Sequence, residues 1–262
     1  YHAVWQNWWT WDAIKHGVDI NYTPLLFAPS GLDQTMLPPR YPAMLIWIPL
    51  YEVFGEPTAY NISVSIQILI KAYGMYLLGV WLFKNRIAAW VSGAFYAFGA
   101  VSLQFALQQP LTGSTEWIPF FMLAFMYGID RIKANYLFKR IAVMMVIAAI
   151  LFSLNVYMNI KIGIFAMLLG GGYILAVLLW YGLWRSVKFW SGMVVFVISV
   201  LLICGPLLLP ILTSLELSNA IQVTDTNFTP IDIMNFLKRG ENYPILYTSV
   251  IAKVFGNTGV PY

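Results

Sequence analysis

Two ionisable side chains in this sequence stand where a charge is costly. Lys71 lies inside the apolar run Ile68-Leu69-Ile70-Lys71-Ala72-Tyr73, and Glu116 closes the short polar segment Thr112-Gly113-Ser114-Thr115-Glu116 between two apolar stretches. A carboxylate so placed can take a proton as a general base or ligate a metal. It can also do no more than face the dipole of the helix that starts beyond it. An ammonium inside an apolar span either turns to a protein interior or polar cavity, where it meets a phosphate or a carboxylate, or snorkels toward the interface. His2 and His16 are the only histidines. A lone surface imidazole is usually just solvated, and only His16 is kept, as a candidate substrate-binding group. Cys204 is the single cysteine, so there is neither a disulfide framework nor a zinc pattern, and its expected role is packing. No GxxxxGK[ST], strand-linked GxGxxG, GxSxG or HExxH occurs, which argues against ATP-driven pumping and those hydrolytic chemistries.

The elements that must position these groups are apolar spans. The chain is 60% hydrophobic and 10% charged, against about 25% charged in a soluble domain. Six apolar stretches run over 60–83, 87–108, 117–130, 141–156, 162–183 and 190–213. Two of them, 117–130 and 141–156, are short against the roughly 20 residues a crossing needs. Threading the six in order collects Lys84, Arg86, Arg131, Lys133, Lys139, Arg140, Arg185 and Lys188 on one side, eight of the 15 Lys and Arg. Such turns belong to the cytoplasm. The sequence therefore predicts an all-α, polytopic transmembrane bundle with the segments 1–59, 109–116, 157–161 and 214–262 facing outward. Its parts are an outer loop at 1–59, the bundle at 60–213 and an incomplete outer loop at 214–262. Ten of the 11 acids fall on the outer side, Asp130 being the exception. The net charge of +4 resides mostly in the cytoplasmic turns and no basic run suggests nucleic acid.

The outer segments are predicted in more detail. Residues 1–16 read as a helix ended by Gly17, with Trp5, Trp8, Trp9 and Trp11 suited to lying flat at a membrane interface. Six prolines and glycines make 18–42 a loop. Residues 43–55, interrupted by Pro49, read as a second surface helix, too short to cross. Gly170, Gly171 and Gly172 lie within one span and permit close helix packing. The tail 214–262 reads as loop with short helices. Three Asn-x-Ser/Thr triplets, at Asn21, Asn61 and Asn227, match the glycosylation pattern at a frequency chance would supply. The chain starts at Tyr1 and stops at Tyr262, and reads as a fragment of a longer protein.

The outer segments carry a resemblance. The run Trp5, Trp8-Trp9, Ala13-Ile14-Lys15-His16-Gly17 and Asn21-Tyr22-Thr23-Pro24-Leu25-Leu26-Phe27-Ala28-Pro29-Ser30-Gly31, followed by Pro49-Leu50, Phe54-Gly55, Ala59-Tyr60-Asn61 and Glu116-Trp117-Ile118-Pro119, resembles the outer loops of bacterial GT-C-type multi-spanning glycosyltransferases and their uncharacterised relatives. It covers about the first 130 residues. What the resemblance implies is a protein of the bacterial plasma membrane that takes a sugar from a polyprenyl-phosphate donor and transfers it, with inversion, to an acceptor on the outer face. It further implies an acidic residue early in the first outer loop, upstream of Tyr1, and a second in the loop between the third and fourth helices, where Glu116 is the matching position. In the implied displacement a carboxylate receives the acceptor's proton and polyprenyl phosphate leaves, steadied by a cation or by a divalent metal ion. Arg40, Lys15 and Lys71 are the candidate phosphate partners.

A second expectation comes from another class: a non-catalytic GT-C-like subunit that packs against other membrane proteins. A transporter ranks third, because paired broken helices and internal symmetry are not visible.

Overall fold

The computed structural model describes residues 2–26, 31–35, 38–100, 102–104 and 113–222, with side chains from 3 to 213. The expectations for loop residues 109–112, for the tail beyond 222 with Asn227, and for the His2 side chain lie outside the described residues. The chain divides into two compact units, Tyr1–Ser214 and Leu215–Tyr262. The segment 1–59 thus belongs to the same unit as the bundle.

Helices dominate. Helix α1 spans His2–His16 and ends where Gly17 takes a left-handed φ of +66°. A two-residue antiparallel ladder follows, β1 (Tyr22–Thr23) on β2 (Leu32–Asp33), with Tyr22 opposite Asp33. Helix α2 is Tyr41–Phe54, 14 residues with Pro42 in its first turn and Pro49 inside. At 1.5 Å per residue it reaches about 21 Å, well short of a hydrocarbon core of about 30 Å. Helix α3 is Thr58–Phe83 and α4 is Arg86–Phe98. Then come α5 (Ile118–Lys133), α6 (Phe138–Met158), α7 (Ile160–Tyr181), a single 3₁₀ turn at Leu183–Arg185, and α8 (Val187–Gln222).

Among the described residues four helices are long and apolar enough to cross a membrane: α3, α6, α7 and α8 over Val187–Thr213. The protein is a helical membrane protein. Over their described residues, two of the six expected spans are not helices of membrane-crossing length. Within the span at 87–108, helix α4 ends at its C-cap Gly99, and helix resumes at 100 and 102–104 among the described residues. The one at 117–130 becomes a 16-residue helix whose first turn holds Pro119, which cannot extend a helix backward. Helix α5 is instead an interior element, with Phe121, Phe125, Ile129 and Ile132 buried. The stretch at 141–156 gains a turn from flanking residues and reaches 21.

Packing follows small residues and aromatic rings. A Cβ on Gly93 of α4 would stand 2.7 Å from the Ala72 carbonyl oxygen of α3, and one on Gly79 would stand 2.9 Å from Ala89 Cα. Helices α3 and α4 therefore touch backbone to backbone. Of the three consecutive glycines in α7, only Gly170 meets a neighbour, the Phe121 ring; Gly171 and Gly172 face open space. The core centres on Phe121 and Phe125 of α5, Phe152 of α6 and Phe196 of α8, with Phe125 and Phe196 centroids 5.2 Å apart. Cys204 is buried, as packing requires. Outward faces carry Ile87, Leu179, Trp180, Val187 and Leu202 in the open. A water-facing surface would not sustain so much apolar area, and a lipid-facing one does.

The outer helices are tied into this unit. Trp9 is buried and donates to the Ile20 carbonyl, and Trp11 Nε1 donates to Glu52 at 2.6 Å, linking α1 to α2. These two tryptophans make protein contacts. At the other end the basic turns converge. Lys188 Nζ reaches Asn135 Oδ1 at 2.6 Å, and Lys133 lies 4.2 Å from the Tyr181 ring.

Candidate functional site

The loop 113–117 folds back into the bundle at the end away from the basic turns. It places Ser114 and Glu116 inside the protein, between Arg40, which immediately precedes α2, and Lys71 in the middle of α3. Arg40 and Glu116 are each 4% exposed and Lys71 2%. Three ionisable groups in one dry region are unusual, since a buried charge is tolerated only with partners. Lys71 Nζ donates to the Gly113 carbonyl at 2.9 Å and to Ser102 Oγ at 3.1 Å. Arg40 Nη1 lies 3.4 Å from Ser114 Oγ. Tyr96 of α4 donates to the Thr115 carbonyl at 3.0 Å. Arg40, Lys71 and Tyr96 therefore hold the loop from three elements.

Lys71 turns inward to these acceptors, so it does not snorkel. Glu116 does not act as the cap of α5 either. The N-cap is Trp117, without a side-chain capping bond, and the Glu116 carboxylate accepts from its own backbone N–H. Its Oε2 has no hydrogen-bond partner among the described residues. Burial pushes the carboxyl up to about 7 from an ordinary 4.5; Lys71, the Glu116 amide and Arg40 pull it partway back. Burial also lowers the Arg40 guanidinium, opposed by Glu116.

A cavity of about 670 Å³ adjoins the cluster. Lys71, Ser102, Gly113 and Thr115 form part of its wall, Phe95, Ile118, Ile162 and Phe165 make it apolar, and Lys161 stands at the start of α7. Apolar walls with two ammonium groups suit an anionic head on an apolar body. Among the described residues no group of three or more His, Cys, Asp or Glu converges on a metal position. The carboxylate of Glu116 is flanked by cations, so these residues do not fit a divalent ion.

Of the residues expected from sequence, Glu116, Arg40 and Lys71 come together. Lys15 and His16 do not join them. Lys15 is half-exposed and pairs with Glu52 at 2.5 Å, holding that carboxyl below its usual range. His16 Nδ1 sits 2.9 Å from the Asp12 carbonyl oxygen at the exposed end of α1. Sequence reasoning missed Lys161, Ser102 and Tyr96. Lys161 had a readable signal: it is a basic residue in a short turn on the side that the charge pattern leaves poor in cations. The chain matches no protein-family model, no curated protein and no solved structure at a significant level.

Proposed function

We propose that this protein is a membrane glycosyltransferase that moves a sugar from a polyprenyl-phosphate donor to an acceptor at the end of the bundle opposite the basic turns. The observation that supports this reading most is the pairing of a buried carboxylate with a cavity whose walls are largely apolar and whose charged groups are lysines. The donor's isoprenoid would lie along Phe95, Ile162 and Phe165, and its phosphate would face Lys71 and Lys161. The acceptor hydroxyl attacks the anomeric carbon, a new C–O bond forms, and the bond from that carbon to the phosphate oxygen breaks. The phosphate leaves with the electron pair, and the acceptor's proton passes to Glu116. A base that titrates near 7 is matched to that transfer at neutral pH. Arg40 holds the loop through Ser114 and sets the field at Glu116.

A second reading rests on a specific observation: Glu116 lies one residue behind Thr115, which lines the cavity, and is nearly inaccessible. On that reading the Arg40–Glu116–Lys71 cluster only pins α2, α3 and the loop, as in a non-catalytic subunit of a larger membrane complex. Transfer from a panel of polyprenyl-phosphate sugars by the full-length protein separates the two. Wild-type transfer that Glu116→Gln abolishes supports the enzyme. Equal rates remove Glu116 from the site, and no transfer from any donor favours the subunit.

A further inference from the structure

A second recess, of about 680 Å³, opens at the basic end of the bundle. Its floor is apolar, with Val80 of α3, Phe120 and Leu123 of α5 and Leu151 of α6, and its rim carries Lys84 and Arg86. The backbone of the α3–α4 turn that carries those two cations is fixed by caps on both sides. Lys84 caps α3 in the left-handed region at φ +52°, and its N–H bonds the Val80 carbonyl. Asn85 Oδ1 accepts from the amides of Ile87 and Ala88 and so closes the start of α4. The positive end of the α4 dipole adds to the field at Arg86. Neither cation forms an ion pair among the described residues, where the salt bridges are Lys15–Glu52, His16–Asp12 and Lys133–Asp130. More positive charge lies next door. Tyr127, which also lines the recess, bonds Arg131, and Arg131 borders a neighbouring pocket with Lys139 and Arg140.

We propose that this recess binds an acidic glycerophospholipid of the adjacent leaflet, with its phosphate between Lys84 and Arg86 and an acyl chain along the groove of α3, α5 and α6. Charge complementarity selects the occupant. An apolar groove alone would accept any lipid tail or a neighbouring helix, but two cations at its mouth, without an ion pair among the described residues and with Lys84 5.4 Å from the Trp81 ring, select an anionic head. Basic recesses between membrane helices bind acidic headgroups by this chemistry, with each Lys or Arg contributing about 1 kcal/mol. The site is separate from the Glu116 cluster and does not depend on the transferase reading.

The test uses the full-length protein in detergent, equilibrated with an equimolar mixture of phosphatidylglycerol and phosphatidylcholine, and counts retained lipids by native mass spectrometry. The wild type should retain phosphatidylglycerol in clear excess. In Lys84→Gln/Arg86→Gln that preference should fall by roughly ten- to thirtyfold, two cations' worth. Arg185→Gln, in a different basic turn, should keep the preference and shows that general charge is not the cause. Millimolar inorganic phosphate should fail to displace the lipid. Equal retention of the two lipids, a preference untouched by the double variant, or displacement by phosphate would each overturn the proposal. Bound protein in place of lipid would show as indifference to Lys84 and Arg86. A size-exclusion profile matching the wild type establishes that the double variant is folded.

Discussion

The two ends of the bundle use the same residue types under opposite conditions. At one end Arg40, Lys71 and Glu116 are withdrawn from solvent, and each must be matched inside the protein. At the other, Arg131 lies 4.6 Å from the Tyr127 ring and 4.3 Å from the Tyr136 ring, and Lys188 bonds exposed carbonyls, all at a wet or headgroup-level surface. The first arrangement is expensive to build and shifts titration. The second costs little, because water and headgroups solvate the cations, and exposed contacts contribute only about 0–1 kcal/mol each. An orientation signal can be read from charges that are cheap. A site has to be sought where they are costly.

The sharpest way to break that contrast is Glu116→Gln. On the transferase reading, sugar transfer drops by about 10²–10⁴-fold with the fold intact, measured at matched expression. A change confined to thermal stability would make the buried end structural only.

Titration comes next. Folded Glu116 titrates near 7 against an ordinary 4.5, so the folded state holds its proton more tightly. The stability this contributes is present in full below about 4.5 and is lost as pH rises through about 7. Relative to Glu116→Gln, the wild type should lose on the order of 3 kcal/mol over that window. Thermal unfolding of both proteins between pH 4 and 8 measures this, and a constant difference would refute the burial assigned to the carboxyl. Transfer should fall as pH drops below 7, where the base fills with protons.

Lys71→Met should cost about 1–3 kcal/mol, because the Gly113 carbonyl loses its donor inside the protein. It should also raise the Glu116 titration further, since the cation that does most to lower it is gone. Gly93→Val should destabilise by about 1–3 kcal/mol, because the added carbon meets the Ala72 backbone oxygen rather than a flexible side chain. At the basic end, Arg140→Gln should shift stability by no more than about 0.5 kcal/mol. A large loss there would erase the distinction between the ends.

Several features are legible in the sequence itself. Lys71 and Glu116 stood out because each is a polar interruption of an apolar pattern, and desolvation makes such interruptions rare without a reason. That α2 is a short helix interrupted by Pro49, and not a span, followed from its composition and length. Other features were not legible. The sequence spacing of Gly170, Gly171 and Gly172 is uniform, yet only the first meets a ring. Lys15 and His16 stood inside the family-like run, but α1 aims Lys15 at Glu52, 37 residues away, and leaves His16 on Asp12.

Composition and charge order alone determined that this is a helical membrane chain with its basic turns on one side. Apolar length and the cost of moving a cation across lipid are local properties, additive along the chain. Tertiary structure decided which polar residues share a site. Arg40 and Ser114 are 74 positions apart, and Lys71 and Gly113 are 42 apart. Which of these groups meet depends on how α2, α3 and the 113–117 loop pack, and no local pattern encodes that. The same packing withdraws Glu116 from solvent and so sets where its carboxyl titrates.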